Sequence, residues 1–199
     1  MEEELLFRIV FILLFATFAG VRIYYRSKTI GRESKKDYQK TDWSLLLLFI
    51  AIIGYFAGLF FYVLLPDWIA WAWVNLTSPI RWIGVFSAIL AILLVFWTHR
   101  ILGEQYSARQ EIQINHRLID QGPYSRVRHP MYTGFNLFSF SVGVISSNLL
   151  LILFAVLIMI PFPWLARREE EMLLDELGEE YGHYMRRTGR FFPSFRKRE

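Results

Sequence analysis

Apolar residues in this chain gather in long blocks. The blocks run from about Leu5 to Tyr25, Trp43 to Leu65, Ile80 to Trp97 and Met131 to Leu165. The first three approach or reach the roughly 18–20 residues that cross a bilayer as a helix. The fourth is too long for one ordinary span. Ser146, Ser147 and Asn148 interrupt it, and such residues favour turns. It therefore predicts two short helices joined tightly. The pattern gives an all-α integral membrane protein with five transmembrane helices, the last two a short hairpin. Arg8 and Arg22 lie near the ends of the first span, where long side chains can snorkel to the interface.

The polar segments orient this layout. Segment 26–42 carries Arg26, Lys28, Arg32, Lys35, Lys36 and Lys40, and segment 98–130 carries Arg100, Arg109, Arg117, Arg126 and Arg128. The tail from 166 onward is basic as well, whereas 66–79 and the 146–148 turn hold no Lys or Arg. The positive-inside rule then places the N-terminus outside and the C-terminus in the cytoplasm. Trp68, Trp71 and Trp73 suit an interfacial belt. Two regions follow. Residues 1–97 supply three helices with a basic cytoplasmic loop, 26–42. Residues 98–199 form a core of loop 98–130, hairpin 131–165, and amphipathic helix with tail 166–199.

Composition sharpens this. Of 199 residues, 54% are hydrophobic and 20% charged, more apolar and less charged than a soluble domain. The opening MEEELLF is acidic and no small-residue cleavage site follows the first apolar run, so that run is expected to be retained. The absence of cysteine excludes disulfides, thiolate metal ligands and a cysteine nucleophile. The four histidines (99, 116, 129 and 183) include no i, i+4 pair, so no metal is expected, and no nucleic-acid partner either. The net charge of +4 is modest.

A hairpin brings its ends together, so 98–130 and 166–199 are expected to meet at the cytoplasmic membrane surface and form one site. In the first, Gly122-Pro123 marks a turn, and Tyr124 follows. Pro130 suits the first turn of a helix, which leaves His129 at the N-cap beside free backbone N–H groups that favour an anion. His116 offers a donor or an acceptor. The same residues also read as a plain interfacial anchor. In the second, Met172, Leu173, Leu177, Tyr181 and Tyr184 recur at mostly helical spacing, interrupted by Gly178. Arg167 and Arg168 lead into Glu169, Glu170 and Glu171. This reads as a surface helix with an acidic first turn, or as a glutamate that binds a polar ligand beside an arginine that binds an acid.

The segments HRLIDQGPYSRVRHPMYTG (116–134) and EEEMLLDELGEEYGHYMRRTGRFFP (169–193), with LGEQYS (102–107), resemble the isoprenylcysteine carboxyl methyltransferase family and the wider group of small membrane methyltransferases. Gly122, Tyr124, Arg128, His129, Pro130, Tyr132, Glu169, Glu170, Gly178, Tyr181, Tyr184 and Pro193 meet the family pattern in order. The resemblance covers roughly the C-terminal half. It implies S-adenosylmethionine as methyl donor, bound in a cofactor pocket at the cytoplasmic surface. The cofactor contacts it implies are His116, Arg117, Leu118, Ile119, Gly122, Tyr124, Arg128, His129, Pro130, Met131, Tyr132, and Glu169 or Glu170. It further implies Glu170 at the reaction centre and an arginine for the acceptor acid, with Arg167 nearest and Arg168 next. The position first expected for that arginine reads Leu165 or Ala166.

The implied acceptor is the carboxylate of an isoprenylcysteine or a similar lipid-linked acid, with membrane lipid as the surroundings. A carboxylate needs no general base. A phospholipid head-group amine is the alternative acceptor and needs a base such as Glu170 or His129. A non-catalytic scaffold is the second alternative. The membrane would be the inner or plasma membrane in a prokaryote and the endoplasmic reticulum in a eukaryote.

Overall fold

The computed structural model describes residues 2–28, 34–37, 43–103, 111–113 and 117–194. Its elements are α1 (Glu2–Ser27), β1 (Ser34–Asp37), α2 (Trp43–Leu64), α3 (Ser78–Leu102), β2 (Glu111–Gln113), α4 (Pro130–Ser146), α5 (Leu149–Met159), α6 (Phe162–Leu177) and α7 (Glu179–Arg187). Among the described residues, four stretches are long and apolar enough to cross a membrane: α1, α2, α3 and the Leu149–Leu177 rod of α5 with α6, whose apolar part ends at Leu165. The chain is a multi-pass helical membrane protein. With 17 residues, α4 is about 25 Å long, slightly short of a hydrocarbon core of about 30 Å.

Local chemistry sets the boundaries. α3 starts two residues before its apolar block because Pro79 sits in its first turn, where a missing N–H costs nothing. It continues past Trp97 through Thr98 and His99, both buried, and stops at Gly103, where φ is +52°. The α4–α5 turn falls on Ser147 and Asn148. Ser147 is left-handed, and the Asn148 side chain accepts from the N–H groups of Leu150 (3.0 Å) and Leu151 (3.4 Å). Such a cap contributes about 1 kcal/mol. The Asn148 amide also donates to Ile69 O at 3.1 Å, which ties the turn to the 3-10 helix Pro66–Ala72. Trp68 and Trp71 of that helix are exposed, as an interfacial belt requires. Gly143 lets the two arms close up: a Cβ there would lie 2.7 Å from Ile152 Cγ1.

Two features differ from the sequence reading. The break in the last block falls at Ile160–Pro161, not after Leu165, because Pro161 and Pro163 fit the start of a helix and not its middle. The amphipathic helix therefore begins inside the apolar block and carries Ala166–Leu177 out of it unbroken. Gly178, with φ +56°, splits that helix from α7. Finally, a short ribbon is added to the helical fold: β1 and β2 pair antiparallel and join the two basic loops. Much of both loops lies outside the described residues.

Aromatic rings form much of the core. Phe18 stacks on Phe138 at 3.9 Å, and Phe11 meets Tyr62 edge-on at 5.5 Å. At the end of the bundle away from α4's start, Arg81 is buried rather than snorkelling. Its Nε donates to Ile145 O (2.7 Å) and its Nη1 to Glu4 (2.8 Å), and Tyr62 also donates to Glu4 (3.2 Å). These bonds pin α1, α2, α3 and the end of α4 together. Outward side chains such as Leu46, Phe49 and Phe86 are exposed, which suits a surface facing lipid tails.

Candidate functional site

The loop before α4 turns at Gly122, where φ is +55°, and passes through a short 3-10 helix, Gly122–Ser125. Tyr124 is buried there, and its carbonyl accepts from Tyr184 on α7 at 2.7 Å. His129 is the N-cap of α4 with a non-helical backbone (φ −121°, ψ 56°), and Pro130 is the first helical residue. Proline disfavours helical angles in the residue before it.

After α7 the chain returns alongside this loop. Arg128 N donates to Gly189 O (2.8 Å), His129 N to Arg190 O (3.0 Å) and Gly189 N to Arg126 O (3.1 Å). The Thr133 hydroxyl donates to Phe191 O at 3.0 Å. The stretch 126–133 is thus stitched to 188–191.

Glu170, 2% exposed, stands at the centre. It accepts from Arg128 Nε (2.7 Å), from Arg190 Nε (3.1 Å to each oxygen) and from His129 Nε2 (3.2 Å). Arg128 also donates to the carbonyls of Met185 and Thr188. The other His129 nitrogen, Nδ1, lies 3.3 Å from Glu169. A carboxylate only accepts, so both ring nitrogens donate and His129 is an imidazolium between two glutamates. Tyr132 donates to Glu169, lies parallel to His129 with centroids 5.5 Å apart, and stacks on Phe162 at 4.6 Å.

The electrostatics agree with this geometry. Burial alone would push the His129 pKa down, but hydrogen bonds to Glu169 and Glu170 reverse this and raise it. Burial alone would raise the Glu170 carboxyl; His129, Arg190 and Arg128 outweigh it and hold it at about 2. That glutamate lies on the polar part of α6, beyond the apolar block. Arg128, His129 and Arg190 thus give three cations against two carboxylates.

Other residues singled out from the sequence fall around this cluster or away from it. Pro130 is buried at the head of α4, and Met131 turns toward Arg22, 3.8 Å from Sδ to Nη1. Arg117, Leu118 and Ile119 precede Asp120, which pairs with Arg187 at 2.5 Å. His116 lies outside the described residues. Arg167 does not join Glu170. Its side chain is 72% exposed and bonds Glu171 at 2.9 Å, because residues four apart share one helix face. Arg168 is half-buried on α6. The guanidiniums that reach Glu170 are those of Arg128 and Arg190. The sequence reading missed Arg190, although a buried glutamate demands cations and the 186–190 stretch supplies three arginines. A cavity of about 650 Å³ opens beside Arg128, Met185, Thr188, Gly189 and Arg190.

A comparison with curated proteins finds no match. A solved structure of the eukaryotic intramembrane Ras methyltransferase ICMT (isoprenylcysteine carboxyl methyltransferase), without a monobody, is similar over 92% of this chain and 67% of that one. The TM-score is 0.53 and the identity 21%, a likeness of fold. Residues 79–180, just over half of the chain, match the phospholipid methyltransferase family. They contain the head of α4 and both glutamates. The chain belongs to the phospholipid methyltransferase family of membrane methyltransferases.

Proposed function

We propose that this protein moves a methyl group from S-adenosylmethionine to a membrane-borne acceptor at the Arg128–His129–Glu170 cluster. The observation that carries the reading is the stitching of 126–133 to 188–191 around Glu170, at the end of an apolar hairpin. A surface anchor needs no such buried charge network. The charge pattern fits a zwitterionic ligand: the Arg190 side chain is 37% exposed and that of Glu169 28%, so the cluster keeps a cation and a carboxylate that solvent can reach. The cavity beside Arg128 and Arg190 offers room, and Tyr132 and Phe162 offer aromatic faces. By family resemblance, His116–Ile119, Gly122 and Tyr124 complete the cofactor contacts.

The bound cofactor supplies an activated sulfonium methyl, so transfer is a single in-line displacement. The chain's own task is to bring two reactants into line about 3–3.5 Å apart. Glu170 is saturated by three cations, so it positions Arg128, His129 and Arg190. Glu169 is the carboxylate with exposure left. The third cation supports an anionic acceptor, the carboxylate of an isoprenylcysteine or a similar lipid-linked acid. The topology proposed with it has five spans, the N-terminus outside and the site in the cytoplasm, in the inner or plasma membrane or the endoplasmic reticulum.

A phospholipid head-group amine is the second reading, favoured by the matched family. An amine must lose a proton. Both His129 nitrogens already donate, so Glu169 is the base in that case. Purified protein with methyl-labelled S-adenosylmethionine, supplied in parallel with farnesylcysteine analogues and phosphatidylethanolamine, tests both readings. Label in the farnesylcysteine ester supports the first, label in the lipid amine the second, and no cofactor binding overturns both.

A further inference from the structure

Arg22 of α1 lies within an apolar span at the level of α4's first turn. A helix turns about 100° per residue, so Met131 and Phe135 share one face of α4 and Tyr132 looks out from the next. Arg22 occupies the first face. Its Nη1 is 3.1 Å from His99 Nε2 and 3.8 Å from Met131 Sδ, and its Cζ lies 4.5 Å from the Phe135 ring centroid. Arginine stays charged and only donates, so His99 accepts. His99 is buried and stacked on Tyr25 at 4.8 Å, which fixes the pair. Tyr132 occupies the neighbouring face with Glu169.

α1 and α2 touch through Glu4–Tyr62, Phe11–Tyr62 and Phe15–Phe56, all in the half of the bundle away from the site. Nearer the site, Phe18, Arg22 and Tyr25 of α1 turn to α3 and α4. α2 leans instead on α6 through Trp43 against Trp164 at 4.9 Å. Nearer the site α1 and α2 thus hold different neighbours, and Arg22 stands half-buried on α1. A cation in the last turns of an apolar span either snorkels to the interface or serves a site, and the contacts to His99 and Met131 turn Arg22 inward.

We infer that Arg22 holds the anionic group of the acceptor, a long-chain lipid ending in a carboxylate or phosphodiester, whose tail enters between α1 and α2. This rests on the methyl-transfer reading and names the acceptor's chemistry.

The test compares Arg22→Lys and Arg22→Met with wild type in full-length protein in nanodiscs. It measures direct binding of N-acetyl-S-farnesylcysteine, of dioleoyl phosphatidylglycerol and of uncharged dioleoylglycerol, and separately the Kd for S-adenosylmethionine. Losing a charge-assisted bond predicts at least about tenfold weaker binding of an anionic lipid to Arg22→Met, with Arg22→Lys between. Dioleoylglycerol and cofactor binding are expected to stay unchanged. Weakening confined to the farnesylcysteine acid assigns a carboxylate, and weakening confined to phosphatidylglycerol assigns a phosphodiester. Unchanged anionic binding, or equal weakening of dioleoylglycerol, overturns the inference. Absent cofactor binding in wild type would sink the methyl-transfer reading alone, because the lipid arms need no turnover.

Discussion

Arg128 and Glu170 meet at 2.7 Å although 42 residues and the whole α4–α5 hairpin separate them in sequence. One belongs to the loop that enters the membrane and the other to the helix that leaves it. Their contact is possible only if the hairpin returns its two ends to one place.

Removing the carboxylate should therefore be severe. Glu170→Ala leaves the guanidinium of Arg128 and the imidazolium of His129 buried without their shared partner, which costs roughly 3–5 kcal/mol. Glu170→Gln keeps the shape but not the charge and is expected to lie between Glu170→Ala and wild type. Thermal unfolding in detergent checks the order.

Arg167→Ala should do little. The Arg167–Glu171 pair is exposed on both sides, and such pairs contribute about 0–1 kcal/mol. Unchanged Tm and unchanged methyl transfer are expected; a large loss of turnover would return Arg167 to the acceptor-binding role implied by resemblance.

Stability should be highest in mildly acidic solution. The His129 pKa is raised above 6.5, so its contribution is complete below that value and is lost as pH climbs through the raised one. The Glu170 pKa falls from 4.5 to about 2, so its contribution is complete above 4.5 and is lost as pH drops toward 2. Tm against pH should show both limbs, with His129→Gln flattening the alkaline one and Glu170→Gln the acid one.

Gly189→Ala should unpick the site while sparing the spans. A Cβ at Gly189 would lie 1.8 Å from Phe192 O, which no side-chain rotation relieves. Hydrogen exchange should speed up at the amides of Arg128, His129 and Gly189, while far-UV helicity stays near wild type.

At the other end of the bundle, Glu4→Gln strips the buried Arg81 of its carboxylate. The single variant should be less stable than Glu4→Gln with Arg81→Met, because an unpaired buried charge costs more than an apolar replacement. Unfolding of the single and double variants measures this.

The spans were legible because hydrocarbon demands unbroken apolar runs, and the 146–148 turn because Ser147 and Asn148 announce it. The head of α4 was legible for a similar reason: Pro130 dictates the backbone of its neighbour. Two things were not. The facing of Arg167 depends on the phase of α6, which Pro161 sets several residues earlier than the apolar pattern suggests. Arg190 reaches Glu170 through a tail held by main-chain bonds at Thr188–Phe191, and main-chain bonding leaves almost no trace in residue types. Arg22 was readable as an edge arginine, but only the approach of α3 brings His99 to it.

The return of Gly189 and Arg190 to the loop before α4 also fixes an order of events at the ribosome. Chains are made from the N-terminus, so Glu170 exists before Arg190 has been synthesised. Until Arg190 arrives, that carboxylate has fewer cations than its burial requires. The cluster therefore closes only after the described spans have been made, and a nascent chain can carry those spans before its charge network is complete.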